Sequence, residues 1–253
     1  MLKVEHVCLS FEGLKAVNDV SIEVKPGSVT ALIGPNGAGK TTLFNLIAGV
    51  YKPESGHIYL DGEEITGMRT FHVCEKGIAR TYQVIKLFGG MTVLENVLVG
   101  MHSQLKSGFW ASVFRTKKCR EEEKRAHEKA HELLKLMGLD ELAKYPAASL
   151  AYGQQRRLEI ARALASNPKL LLLDEPAAGM NSTEKFELND RIRQIIAMGV
   201  TVLIVEHDMA MVMNIADKIF VLTSGQLLAE GTSDEISNNE AVIEAYLGRG
   251  DDE

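Results

Sequence analysis

The chain is poor in cysteine and tryptophan, has no long apolar run and carries no excess of basic charge. Its three cysteines, Cys8, Cys74 and Cys119, are odd in number, far apart and without a C-x-x-C pair. That suits reduced thiols in the cytosol better than a disulfide framework or a zinc site. No apolar stretch approaches the roughly 20 residues that cross a bilayer. The opening Met1-Leu2-Lys3-Val4-Glu5 has charges where a signal peptide needs its apolar centre, so a membrane role would have to be peripheral. A net charge of −6 gives no global field for DNA or RNA. There is no internal repeat and no linker long enough to divide 253 residues into independent domains. A single unit with one large core or two smaller ones is expected.

Against that background one stretch stands out. Gly34-Pro35-Asn36-Gly37-Ala38-Gly39-Lys40-Thr41 fits G-x-x-x-x-G-K-[ST] and lies between the apolar run Val29–Ile33 and an amphipathic run from Leu43 to Gly49. Strand, loop and helix in that order are the context in which this pattern binds phosphate. The glycines let the backbone approach a ligand closely. Loop N–H groups and the helix N-terminus converge on an anion. Lys40 has the reach for β- and γ-phosphates, and the Thr41 hydroxyl suits Mg²⁺.

A second stretch completes the chemistry. Leu170-Leu171-Leu172-Leu173 reads as a strand buried on both faces. It delivers Asp174 and Glu175 to the C-terminal edge of a sheet, where α/β folds bind ligands. Asp174 is suited to Mg²⁺, usually through water. Glu175 is suited to polarise an attacking water. Gln83, after Ile78–Tyr82, and His207, after Val200–Glu206, end two further strands on the same side. A glutamine there can touch the metal or the water, and a histidine can bond the γ-phosphate. Each taken alone is ordinarily a satisfied structural residue. The run Leu150-Ala151-Tyr152-Gly153-Gln154-Gln155-Arg156-Arg157 precedes a helix and can offer N–H groups to an anion. On residue physics alone it reads as a helix start with Arg156 and Arg157 solvated.

The remainder supports an α/β fold. Val4–Leu9, Val20–Val24 and His57–Leu60 alternate as strands without intervening helices, so an antiparallel β-layer is expected beside the nucleotide. Residues 92–167 are helical in character, and Glu121–Met137 reads as a helix with Ala126, Ala130, Leu133, Leu134 and Met137 on one face, its charge run on the solvated side and Gly138 as its stop. After Pro168 strands and helices alternate again: Val200–Val205 is a second buried strand, Thr183–Ala197 the crossover helix. Ile219–Leu222 and Gln226–Ala229 flank a hairpin at Ser224-Gly225. The prediction is therefore a RecA-like P-loop NTPase: a mostly parallel sheet core (1–91 and 168–253), an antiparallel β-layer and a helical insertion (92–167). The polar tail Gly248–Glu253 is expected to fray.

Gly34–Thr42, Gln83, Leu150–Arg157, Leu170–Glu175 and Glu206-His207-Asp208 follow one another as in ATP-binding subunits of ABC transporters, and the chain resembles that family over nearly its whole length. Ile78–Gln83, Met91–Val97 and the run from Leu150 are similar to ATPase subunits of branched-chain amino acid importers. His102–Arg120 is similar to the longer, G-type subunit. The resemblance implies that Phe11 stacks on adenine with Val17 beside it, and that Lys40, Thr41 and Thr42 hold phosphate and metal. It implies that Gln83 links the metal to a membrane partner and that His207 is a switch histidine. Leu150, Ala151, Tyr152, Gly153 and Gln154 match the signature L-S-G-G-Q, which would cap the γ-phosphate of a second cassette, a copy of this chain or a paralogue. Ala178-Gly179-Met180-Asn181 would meet that partner. ATP and Mg²⁺, integral-membrane permease subunits and, through them, an extracytoplasmic solute-binding protein are the implied ligands and partners, at the cytoplasmic face of the membrane and without nucleic acid. The departures are Ala151 for serine, Tyr152 for glycine and Asn181 for aspartate.

Three further readings are weighed. His127-Glu128-Lys129-Ala130-His131 fits H-E-x-x-H, but its Lys/Glu-rich surroundings read as an exposed helix face. Val84, Ile85, Leu87, Phe88 and Met91 are candidates to dock membrane subunits, or simply to pack the helical insertion. An ABC ATPase that moves no solute is the competing class. The single cassette, the acidic charge and the lack of a long heptad arm stand against it.

Overall fold

A computed structural model describes residues 1–102 and 117–247. Most of His102–Arg120, and the tail from Gly248, lie outside the described residues. Four strands form an antiparallel sheet: β1 (Leu2–Phe11), β2 (Leu14–Val24), β4 (Ser55–Leu60) and β5 (Glu63–Glu64), in the order β2-β1-β4-β5. Six form the larger sheet: β3 (Val29–Ile33), β6 (Ile78–Arg80), β7 (Leu170–Asp174), β8 (Thr201–Val205), β9 (Lys218–Thr223) and β10 (Gln226–Gly231), in the order β10-β9-β3-β8-β7-β6. Neighbours from β9 to β6 are parallel, and only β10 runs against its partner. Parallel strands in non-sequential order place the C-terminal ends of β3, β6, β7 and β8 along one edge, where the loops carrying the candidate residues emerge.

The apolar runs explain the layering. Strands β3, β7 and β8 are buried at every residue, and their side chains divide with a period of two. Leu171, Leu173, Val202 and Ile204 join one core with the helices; Leu170, Leu172, Leu203 and Val205 join another. The second core is closed by the antiparallel sheet and by α1 (Lys40–Ile47), through Leu43, Phe44, Leu46 and Ile47. On the other face α3 (Val93–Gly100), α4 (Lys117–Leu136) and α5 (Tyr152–Ala165) share a buried cluster with α6 (Ser182–Ala197) and the sheet. The remaining α-helices among the described residues are α2 (Thr70–Glu75), α7 (Met209–Ile215), α8 (Ser233–Ser237) and α9 (Glu240–Leu247). Gly138 stops α4 with φ +64. The β9–β10 turn has Ser224 and Gly225 both left-handed, at φ +46 and +78, as a two-residue hairpin of this twist requires.

Three local expectations are corrected. Strand β6 ends at Arg80, not Gln83: after a last rung from Thr81 N–H to the Leu172 carbonyl, the chain turns to a different partner, Glu159 on α5. Helix α5 begins at Tyr152, so it starts inside the run Leu150–Arg157 and not after it. Arg156 is not solvated but fully buried. Among the described residues no helix is long and apolar enough to cross a membrane.

Candidate functional site

The phosphate loop is shaped by what surrounds it. Gly34 has φ +149, and a Cβ there would lie 2.1 Å from the Leu222 carbonyl oxygen; Gly39 has φ +98, and its Cβ would lie 2.3 Å from that of Ala16. No other residue fits either place. Gly39 precedes α1 without offering a side-chain acceptor, and the first turn of α1 holds no acid. The leading N–H groups of that helix are thus left for an external anion. The β9–β10 turn is sewn to this loop, since Gly225 donates to the Ala38 carbonyl (3.1 Å) and Asn18 N–H to that of Gly225 (2.8 Å).

Lys40 folds back over the loop. Its ammonium donates to the carbonyls of Gly34 (2.7 Å) and Pro35 (2.9 Å). Burial pushes its pKa down, while the carboxylates of Glu175 and Asp174 oppose that shift. A cavity of about 420 Å³ opens above it, lined by Asn36 to Thr42 together with Gln83, Glu175 and His207. Residues 36–42, 83, 175 and 207 come from four separate stretches of sequence and meet here. Leu14, Lys15, Ala16 and Ser224 also line the cavity. The sequence singles out Ser224 only as a hairpin turn, and the other three not at all.

Glu175 is the hub. His207 Nε2 lies 2.9 Å from its Oε1, and Gln83 Nε2 donates to both carboxylate oxygens at 3.3 Å. Its backbone is left-handed at φ +47, sparsely populated for a residue with a side chain. Glu206 supports it from beneath. This carboxylate is 3% exposed and accepts N–H bonds from Ala177 (2.8 Å) and His207 (3.2 Å), fixing the loop after Glu175 and the backbone of the histidine together. Burial raises its pKa, and the N–H donors oppose the shift.

Asp174 sits below the cavity and does not line it. Its Oδ2 is held by Arg80 at 2.8 Å, and Arg80 also reaches Asn45 Oδ1 on α1 at 2.5 Å. Oδ1 of Asp174 is buried with no hydrogen-bond partner. A buried carboxylate oxygen without a donor is costly, and it is the atom a hard cation would satisfy. With the hydroxyl of Thr41 and the amide of Gln83, the donor set is all hard oxygen, which fits Mg²⁺. Arg80 was invisible as a site residue in the sequence, where it is one cation within a strand.

Other expected members lie elsewhere. Phe11 is 42% exposed and meets the Tyr51 ring edge-on at 5.3 Å, at the margin and not in the lining. Val17, expected beside the base, is fully buried opposite Leu9; alternation along β2 turns Ala16 to the cavity in its place. None of Leu150, Ala151, Tyr152, Gly153 and Gln154 lines this cavity. Leu150 is buried, and Ala151 stands at the N-cap of α5 with no acceptor of its own, its N–H taken by Gln154 Oε1 at 3.0 Å. Asn181 caps α6: its Oδ1 accepts from Glu184 N–H at 3.0 Å and Glu184 answers at 3.0 Å, a duty Asn performs as well as Asp. His127 and His131 are exposed, and Asp140 holds His131 Nδ1 at 2.6 Å. Val84, Phe88 and Met91 are 73%, 48% and 38% exposed, whereas Leu87 packs on the core.

Comparison with known proteins agrees with this geometry. The ABC transporter family model matches residues 17–178, and that of the branched-chain amino acid ATP-binding cassette transporter matches residues 226–252. The high-affinity branched-chain amino acid transport ATP-binding protein BraF of Pseudomonas aeruginosa is 47% identical over 249 residues, covering 98% of each chain. An ABC transporter cassette solved in its ADP conformation superposes with a TM-score of 0.85 at 37% identity, over 98% of each chain. A cassette solved as a dimer in a post-hydrolysis state with ADP and Pi gives 0.78 at 25% identity, over 92% of this chain and 99% of that one.

Proposed function

This chain belongs to the ABC transporter family, and from that premise we propose that it is the ATP-hydrolysing subunit of an importer for branched-chain amino acids or related small polar solutes. The observation that carries the hydrolytic part is the meeting of Lys40, Gln83, Glu175 and His207 around one cavity on the sheet edge. The solute class rests on the likeness to BraF and on the match at residues 226–252.

ATP lies along the loop with its phosphates on the N–H groups of Gly37 to Thr42. Lys40 leaves the carbonyls of Gly34 and Pro35 for the β- and γ-phosphates. The base lies toward Lys15 and Ala16, with Phe11 at the rim. Thr41, Gln83 and Asp174 would hold Mg²⁺, which when bound neutralises charge on the phosphate oxygens. Glu175 orients the attacking water and accepts its proton, and His207 and Gln83 fix the carboxylate's rotamer. Ala151 and Tyr152 are exposed where α5 starts, so the N–H groups of its first turn serve the nucleotide of a second cassette, as copy or paralogue. Val84, Phe88 and Met91 form the surface for the permease subunits at the cytoplasmic membrane face, with a solute-binding protein beyond. Affinity purification from membranes should bring down integral-membrane subunits. Recovery only from the soluble fraction, with ribosomes or nucleic acid, would sink the transport reading.

Phe11→Ala should weaken ATP binding by several-fold, up to about tenfold, since an aromatic stack is worth roughly 0.5–1.5 kcal/mol. Binding of inorganic triphosphate should stay unchanged. Equal losses for both ligands in a calorimetric titration would remove Phe11 from base recognition.

A further inference from the structure

Arg156 heads the fully buried side chains by size, although it lies one turn into a helix that starts at the surface. A buried cation needs partners, and an ion pair with Glu159 on the same helix, at 3.1 Å, supplies one. The other bonds of its terminal nitrogens reach outward. Nη1 donates to the Tyr82 carbonyl at 2.5 Å, and Nη2 donates to the Gln83 carbonyl at 2.7 Å and to the Tyr152 hydroxyl at 3.2 Å. Glu159 in turn accepts the Tyr82 N–H at 3.3 Å. The backbone that carries Gln83 is therefore gripped from α5 immediately beyond the point where β6 has stopped supplying ladder bonds.

Tyr152 closes the arrangement. As the first helical residue it is half-exposed, and its ring packs over Gly179, where an added Cβ would lie 3.0 Å from the ring. Gly179 belongs to the loop that Glu175 opens.

We propose that Arg156, braced by the Tyr152 hydroxyl, is a positioning residue that holds the Gln83 backbone so that its amide meets Glu175. The proposal rests on the reading of Gln83 and Glu175 as parts of the hydrolytic site. A planar guanidinium can serve two carbonyls and a hydroxyl at once; a lysine ammonium of the same charge cannot match that fork.

The test is a double-mutant cycle on the full chain, with kcat for ATP and the affinity for a fluorescent ADP measured for each protein. Tyr152→Phe deletes one hydroxyl at a half-exposed position and does not threaten folding. It should lower kcat about fivefold, and in a Gln83→Ala background the same change should have almost no further effect, as expected for residues acting in series. Fluorescent ADP affinity should move less than about twofold, because the phosphate loop itself is untouched. Arg156→Lys should fall further, by about twentyfold in kcat, with the same non-additivity. An equal loss in both backgrounds would show that Tyr152 acts elsewhere, at the partner's nucleotide for instance, and would overturn the proposal. So would a Tyr152→Phe protein with wild-type kcat. If Gln83→Ala alone leaves kcat unchanged, the reading of Gln83 fails and the staple fails with it. If Gln83→Ala lowers kcat and the cycle is additive, only the staple fails.

Discussion

Glu175→Gln should cut steady-state ATP hydrolysis by about two to four orders of magnitude, the usual contribution of a positioned general base, while nucleotide affinity changes only a few-fold. The substitution keeps the shape of the side chain and one carbonyl oxygen for Gln83 and His207, so the cavity walls stay in place. It removes the ability to take a proton from water. With ATP present and turnover stopped, two cassettes should remain closed on their nucleotides, and light scattering should show twice the monomer mass. A Glu175→Gln protein that hydrolyses ATP at the normal rate would take Glu175 out of the chemistry. One that is inactive but monomeric in ATP would leave the chemistry intact and count against the paired arrangement.

Lys40→Ala should weaken ATP binding by about two to four orders of magnitude, because charge-assisted hydrogen bonds contribute roughly 1.5–3 kcal/mol each and the ammonium is placed to make two. Its effect differs from that of Glu175→Gln in kind: binding is lost before turnover can be measured. There is a second consequence in the empty protein. Lys40 bridges the Gly34 and Pro35 carbonyls, so its loss also unties the resting loop, and hydrogen exchange at residues 34–39 should quicken. Calorimetry that finds ATP affinity unchanged in Lys40→Ala would mean that the ammonium stays on its own carbonyls when nucleotide binds.

What was legible in the sequence divides along a physical line. Local chemistry was readable: the glycines that must take positive φ, the leucines that must be buried, and the acids that follow a buried strand. So was the two-sheet layout, since periods of 2 and 3.6 separate cleanly in this chain. Contacts made by tertiary approach were not readable. Arg80 and Asp174 are far apart in sequence, yet on neighbouring strands their side chains meet. Glu206 stands beside a recognised histidine but acts through the Ala177 amide on another loop. Arg156 looked like half of an exposed basic pair, and only the arrival of Tyr82 and Gln83 above α5 accounts for its burial. Val17 was hard to place for a simpler reason: in a strand, a shift of one residue exchanges core for surface, and Val17 is buried while Ala16 faces the cavity.

The left-handed backbone of Glu175 bears on how such a chain ages. A non-glycine residue held there costs on the order of 1 kcal/mol of folding stability, and glycine or asparagine would relieve it. Mutation therefore has a downhill direction at this position, toward a sturdier protein that, on the role proposed for Glu175, no longer turns over. In a lineage where hydrolysis ceased to matter, position 175 would be among the first of the cavity's residues to drift.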